Sequence, residues 1–115
     1  MKLFVYGTLR RGHYNHPFIN RPGVEFLGED KIAALHCTVM NTLPGIKEGD
    51  GEVEGEIYEC PNMVVSALDV FEGHPTMYER RPVTTVSGEE VYAYYPNARF
   101  INEEEDTRPY PSTTI

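Results

Sequence analysis

The chain begins with consecutive apolar residues, Leu3-Phe4-Val5, not with the in-out alternation of a half-exposed strand. A continuous apolar run predicts a central strand over Lys2–Tyr6. Residues 11–28 lose this character and carry Gly12, Pro17, Pro22, Gly23 and Gly28. They read as connection, with a helical turn near Pro17–Asn20. Apolar positions return in Ile32–Met40, a second strand. Asn41–Gly51 contains Pro44-Gly45 and Gly49-Asp50-Gly51, and is expected to be a turn-rich loop of the length that lines binding sites. Val53–Cys60 is a third strand, with Gly55 marking a bulge or a close backbone approach.

The period then changes from strand to helix. Val64, Ala67, Leu68 and Phe71 fall at i, i+3, i+4 and i+7, one apolar stripe. Asn62, behind Pro61, suits an N-cap. Gly73 suits a left-handed residue just past the end, and Pro75 prevents continuation. The spacing therefore predicts a helix over Asn62–Glu72. Arg80–Val86 and Val91–Tyr95 are rich in Val, Thr and Tyr, and Ser87-Gly88-Glu89-Glu90 joins them as a hairpin. Pro82 has no N–H to donate, so it belongs at a strand start or on an edge. This order of elements implies an α+β fold, a small curled and mostly antiparallel sheet with one principal helix. One domain spans 1–115, and residues 101–115 form an acidic, proline-containing tail expected to be pinned through Tyr110.

Charge narrows the choice of partners. The net charge is −8, and the only basic pairs are Arg10-Arg11 and Arg80-Arg81. A phosphate backbone would be repelled by most of such a surface, so no nucleic-acid partner is expected. No apolar stretch approaches the roughly 20 residues of a membrane span. The first residues hold a lysine and a glycine turn where a signal peptide needs an apolar core. Cys37 and Cys60 form no disulfide framework, and a reduced, cytosolic setting is the simplest fit. His13, His16, His36 and Cys37 lack the spacing of a known ligand set, so no metal is expected. The eight tyrosines read as strand packing.

Two features could carry chemistry. Tyr6-Gly7-Thr8-Leu9-Arg10 follows the first strand, and a glycine turn there frees successive backbone N–H groups that can cradle an anion. On these five residues alone, an ordinary glycine loop carries more weight. Glu72 lies in the last helical turn, where the helix dipole disfavours its charge and Asp69, three residues earlier, adds a like charge. Both effects would raise its proton affinity toward that of a general base. The simpler reading is a solvated acid at a helix end.

The motifs together resemble the γ-glutamylcyclotransferase-like family. The resemblance rests on Tyr6-Gly7-Thr8-Leu9, then Gly12 and Asn15, then Val53-x-Gly55-Glu56-Ile57-Tyr58. It continues through Leu68-Asp69-x-Phe71-Glu72-Gly73 and Pro75-x-x-Tyr78-x-Arg80, covering residue 3 to about residue 96. The Pro75-x-x-Tyr78 spacing is most similar to the γ-glutamylamine cyclotransferase branch. The resemblance implies a barrel-like α+β fold around a polar cavity. Tyr6, Gly7, Thr8 and Leu9 would hold the glutamyl end of a small γ-glutamyl substrate. Glu72 would act as acid and base, and Tyr78 would line the pocket. The reaction would be intramolecular attack of the α-amine on the γ-carbonyl, giving 5-oxoproline and a released amine with no cofactor. Loop 41–51 and the stretch His74–Met77 are expected to recognise the amine half, and Tyr94 or Tyr95 could reach the cavity. The chain would work as a monomer or homodimer. A non-catalytic small-molecule binding or interaction domain on the same scaffold is the alternative.

Overall fold

A computed structural model describes residues 1–102. Residues 103–115 of the expected tail, with the Tyr110 anchor, lie outside the described residues. The elements run β1 (Lys2–Val5), β2 (Glu25–Val39), β3 (Leu43–Glu59), α1 (Asn62–Glu72), β4 (Tyr78–Thr84) and β5 (Glu90–Pro96), with short 3-10 turns at His16–Phe18 and Ala98–Phe100. The five strands make one sheet in the order β2-β3-β1-β5-β4. All pairings are antiparallel except β1 with β5, where Leu3 lies opposite Tyr92.

β1 sits at the centre, as its unbroken apolar run requires. Leu3 and Val5 pack on the helix side with Leu68 and Tyr78, while Phe4 and Tyr6 pack on the opposite side with Ile57 and Tyr95. The sheet curls around this second cluster without closing into a barrel. β2 and β4 remain its edges, bridged from the β4–β5 turn by the Val86 N–H, which donates to the Lys31 carbonyl at 2.8 Å, and by the Ser87 hydroxyl, which donates to Asp30 Oδ2. Pro82 lies in edge strand β4, where its missing N–H costs no ladder bond.

The expected loop at Asn41–Gly51 does not exist. Residues from Leu43 onward belong to β3, and β2 begins at Glu25, seven residues before the expected strand start. The turn between them is only Met40-Asn41-Thr42, with positive φ at Met40 and Asn41, closed by the Thr42 N–H donating to the Val39 carbonyl at 3.2 Å. The glycines that read as turn residues serve close packing. A Cβ at Gly45 would stand 2.8 Å from Pro96 and Val39, and Cβ atoms at Gly49 and Gly51 would collide with Leu35. The register between β2 and β3 shifts across Ala33 and Leu35, so the Gly49-Asp50-Gly51 segment is a bulge in a ladder.

The helix matches its expected span with two changes. Pro61, extended at ψ 159°, is the N-cap, and its carbonyl takes the N–H groups of Val64 and Val65; Asn62 is the first helical residue and its side chain caps nothing. The buried stripe is Val64, Val65, Leu68 and Glu72, while Ala67 and Phe71 are only half-buried. Gly73 ends the helix at φ +70°. Among the described residues, no helix is long and apolar enough to cross a membrane.

Gly55 lies where β3 crosses closest to β1. A Cβ there would run into the Val5 carbonyl oxygen and the Phe4 ring. Backbone on one side and a buried ring on the other leave no room to yield. Gly55→Ala should therefore lower stability in urea unfolding by at least about 2 kcal/mol. Gly12→Ala, in open space but at φ +80°, should lose only about 1 kcal/mol. Equal losses would contradict the close-approach reading.

Candidate functional site

At Tyr6 the chain leaves the sheet and turns, and the turn is held by its carbonyls and side chains. The Gly7 carbonyl accepts from the Arg10 N–H at 3.2 Å and from Arg10 Nε at 2.9 Å. The Thr8 carbonyl accepts from the Asn15 N–H at 2.9 Å, and Thr8 Oγ1 accepts from Asn15 Nδ2 at 2.8 Å. Farther along, the Arg11 N–H donates to Glu56 Oε1 at 2.8 Å, which also accepts from the Tyr58 hydroxyl at 2.9 Å. His16 Nδ1 lies 2.8 Å from the Leu9 carbonyl. The N–H groups of Gly7, Thr8 and Leu9, by contrast, have no acceptor among the described residues. Gly7 is not among the glycines with positive φ.

Glu72 comes to this loop from the helix side. Val64, Leu68 and Glu72 are spaced four apart, so the helix places a carboxyl where its pattern calls for a core residue. It is 3% exposed, and no hydrogen bond reaches it among the described residues. Burial without a donor penalises the charged form and pushes its pKa up to about 8.

This corrects the expected cause. Asp69 adds little like charge, because Arg80 holds it in a two-pronged ion pair at 3.0 and 2.9 Å. Burial opposes the Asp69 charge, but the bonds from Arg80 and Tyr94 outweigh it and hold this carboxyl below its usual range. Desolvation of Glu72 itself accounts for the shift.

The loop and Glu72 share a cavity of about 20 Å³, room for one water molecule. Its walls include Tyr6, Gly7, Leu9, Glu72 and Tyr94. Thr8 is fully buried and turned toward Asn15, a brace for the loop. Tyr78 is buried close enough to Glu72 for the carboxylate to act on it. After burial, that charge is the next influence raising the phenol pKa. Its hydroxyl donates to the Pro44 carbonyl at 2.7 Å, and the ring is not one of the cavity walls. Of the two tyrosines the sequence left undecided, Tyr94 lines the cavity and Tyr95 packs in the opposite cluster. Strand alternation could have separated these neighbours, but only the sheet's position says which face meets the helix. Tyr6 also borders a groove of about 450 Å³ with Arg10, Lys31, His36, Glu52 and Glu54. Cys60 is buried, and this pushes its thiol up to about 11, unsuited to nucleophilic work. No three metal-ligating side chains come together among the described residues.

Comparison with known proteins points one way. A family model described as gamma-glutamyl cyclotransferase, AIG2-like, matches residues 3–114. A protein of Methanocaldococcus jannaschii named "Putative gamma-glutamylcyclotransferase" is 33% identical over 104 residues, covering 84% of this chain and 85% of its own. The gamma-glutamylcyclotransferase family protein YtfP of Escherichia coli K12 is 30% identical, with 82% of each chain covered. Among solved structures, an aig2-like protein from Mus musculus superposes with a TM-score of 0.75 at 26% identity, covering 99% of this chain and 87% of that one.

The raised pKa of Glu72 has a consequence for stability. Folded Glu72 holds its proton to about pH 8, whereas the unfolded chain releases it near 4.5. Between these values the folded state binds more protons, so stability falls as pH rises and the loss stops above the folded pKa. Glu72→Gln removes this dependence. Its stability relative to wild type should grow by up to about 1.4 kcal/mol per pH unit across that window. Thermal unfolding at pH 5, 7 and 9 reads the change. A constant difference would mean that Glu72 is not buried as a neutral acid.

Proposed function

This chain belongs to the AIG2-like gamma-glutamyl cyclotransferase family, and from that premise we propose that it converts a γ-glutamylamine, or a related γ-glutamyl amide, into 5-oxoproline and a free amine. One observation carries the reading. A buried carboxyl without a donor borders the same cavity as Gly7 and Leu9, from a loop with three unclaimed N–H groups.

The assignments follow from what the reaction needs. The substrate α-carboxylate takes the N–H groups of Gly7, Thr8 and Leu9, an anion site that brings no mobile counter-charge. Ionised Glu72 removes a proton from the α-ammonium, and a carboxyl near pKa 8 is well matched to that donor. The freed nitrogen attacks the γ-carbonyl carbon, forming the ring C–N bond. The tetrahedral oxyanion collapses, the bond to the departing nitrogen breaks, and protonated Glu72 returns its proton to that nitrogen. The ring nitrogen gives up its second proton, through the re-ionised Glu72, to the released amine, which leaves as an ammonium. Nucleophile and electrophile belong to one molecule, so holding the glutamyl chain folded supplies much of the acceleration. A γ-glutamyl group is far larger than the present cavity, so its entry must widen the space between the loop and Tyr94.

A panel of γ-glutamyl compounds followed by 5-oxoproline release tests the reading. Glu72→Gln keeps the size but removes the proton acceptor, and turnover should fall by about 10²–10⁴-fold. For wild type, kcat/KM should climb with pH and level off above about 8, where free Glu72 is ionised. Near-normal turnover in Glu72→Gln would overturn the assignment. Binding of 5-oxoproline without turnover on any compound would favour the non-catalytic alternative.

The loop is tested by affinity. Gly7 is a cavity wall, so Gly7→Val places a branched side chain where the carboxylate would lie. Calorimetry with 5-oxoproline should find binding abolished in Gly7→Val and only weakened in Thr8→Ala, whose lost bond to Asn15 loosens the loop. Equal affinity in Gly7→Val and wild type would remove the loop from the site.

A further inference from the structure

Two phenol groups flank Glu72, and neither is bonded to it. Tyr78 in β4 donates a hydrogen bond to the Pro44 carbonyl. Tyr94 in β5 donates a hydrogen bond to Asp69 Oδ1 at 2.6 Å, although its ring stands on the cavity with Glu72. Asp69 and Glu72 are three residues apart on α1, which makes their side chains neighbours on the helix surface. A Tyr94 hydroxyl released from Asp69 therefore has the Glu72 carboxylate as its next acceptor.

Asp69 is unusually well held for a residue outside the cavity. Arg80 Nε and Nη2 take its two oxygens, and Arg80 is fixed in turn by its backbone N–H, which donates to His74 Nδ1 at 3.0 Å. His74 closes the circle through its own N–H, which donates to the Asp69 carbonyl at 2.8 Å. At the other end, the Tyr94 carbonyl accepts from the Tyr6 hydroxyl at 2.9 Å, tying β5 to the start of the loop. Tyr94 is thus fixed at both its carbonyl and its hydroxyl.

We propose that Asp69, braced by Arg80, is a positioning residue that holds the Tyr94 hydroxyl away from Glu72 and so leaves the Glu72 carboxyl without a donor. The proposal rests on Glu72 being the base of the reaction described above. A carboxylate that accepts a phenol hydrogen bond is stabilised in its charged form and becomes a poorer base. Asp69 on α1 is neutralised by Arg80 of β4; His74 in the following turn is occupied with the Arg80 N–H. Tyr78 of β4 donates to Pro44, with Cys37 of β2 behind it, and Tyr94 of β5 and Tyr6 of the loop are joined to each other. Tyr94 is the only one of these whose donor is withheld by a side chain that can be removed.

The test reads Glu72 directly. Glutamate is labelled at the side-chain carboxyl carbon, the Glu72 signal is assigned by its loss in Glu72→Gln, and its pKa is followed by NMR. Tyr94→Phe should titrate like wild type, because the hydroxyl it removes is not bonded to Glu72. Asp69→Ala should lower the Glu72 pKa by at least about one unit. Adding Tyr94→Phe to Asp69→Ala should restore it, which separates the freed hydroxyl from the uncompensated Arg80 charge that both variants share. In turnover, the acid limb of kcat/KM should move in parallel.

A raised Glu72 pKa in Tyr94→Phe alone would mean that the hydroxyl already bonds Glu72, and would overturn the proposal even if Asp69→Ala fails to fold. An unchanged pKa in Asp69→Ala, or one that stays low in the double variant, would overturn it as well. None of these titrations needs a substrate, so they stand apart from the Glu72→Gln turnover result that decides the functional reading.

Discussion

Leu3, Phe4 and Val5 must be buried on both faces of a single strand, and the arrangement of the other elements answers that constraint. β1 needs a neighbour on each side and a cover above and below. β3 and β5 supply the neighbours, α1 covers one face, and the curl of the sheet covers the other. Gly55 lets β3 lie tightly against β1 because a side chain there would strike backbone and ring together. The end of β1 is therefore delivered to the seam between the helix layer and the curl, and there the Tyr6–Leu9 turn meets the end of α1.

A seam between two apolar clusters is a costly place for a carboxyl. Glu72 occupies the last position of the helix stripe that Val64 and Leu68 begin, and nothing among the described residues donates to it. The cost is met by keeping the proton to near neutral pH. The same burial that makes Glu72 a burden on stability makes it basic enough for proton transfer. The neighbouring carboxyl, Asp69, has the opposite environment: an Arg80 fork and a phenol donor keep it ionised. Two acids one helical turn apart are thus driven in opposite directions by their surroundings, and this separation distinguishes a candidate base from its support.

Much of this was legible in the residues. The unbroken apolar run predicted a central strand, the 3.6-residue stripe and Gly73 predicted a helix over Asn62–Glu72, and the Val- and Tyr-rich segments predicted the final hairpin. Each of these signals is local, since periodicity and chain-terminating residues act within a few positions. Pairing the Tyr6–Leu9 turn with Glu72 as one candidate site came from the resemblance of several motifs read together.

Tertiary structure decided what depends on distant partners. Gly45, Gly49 and Gly51 look like turn residues, yet they lie in β3 because Pro96, Val39 and Leu35 come too close for a side chain. The residues could not say that Glu72 is buried, because its neighbours arrive from β1, β4 and β5. Nor could they say that Asp69 is neutralised, because Arg80 lies eleven positions away across a turn. Tyr94 and Tyr95 are equivalent in sequence and opposite in the sheet, and only the location of the helix makes one of them a wall of the cavity. Sequence thus determined which segments form strands and helix and which residues were candidates. The electrostatics of those residues were set by contacts that exist only after the sheet has curled and the helix has docked.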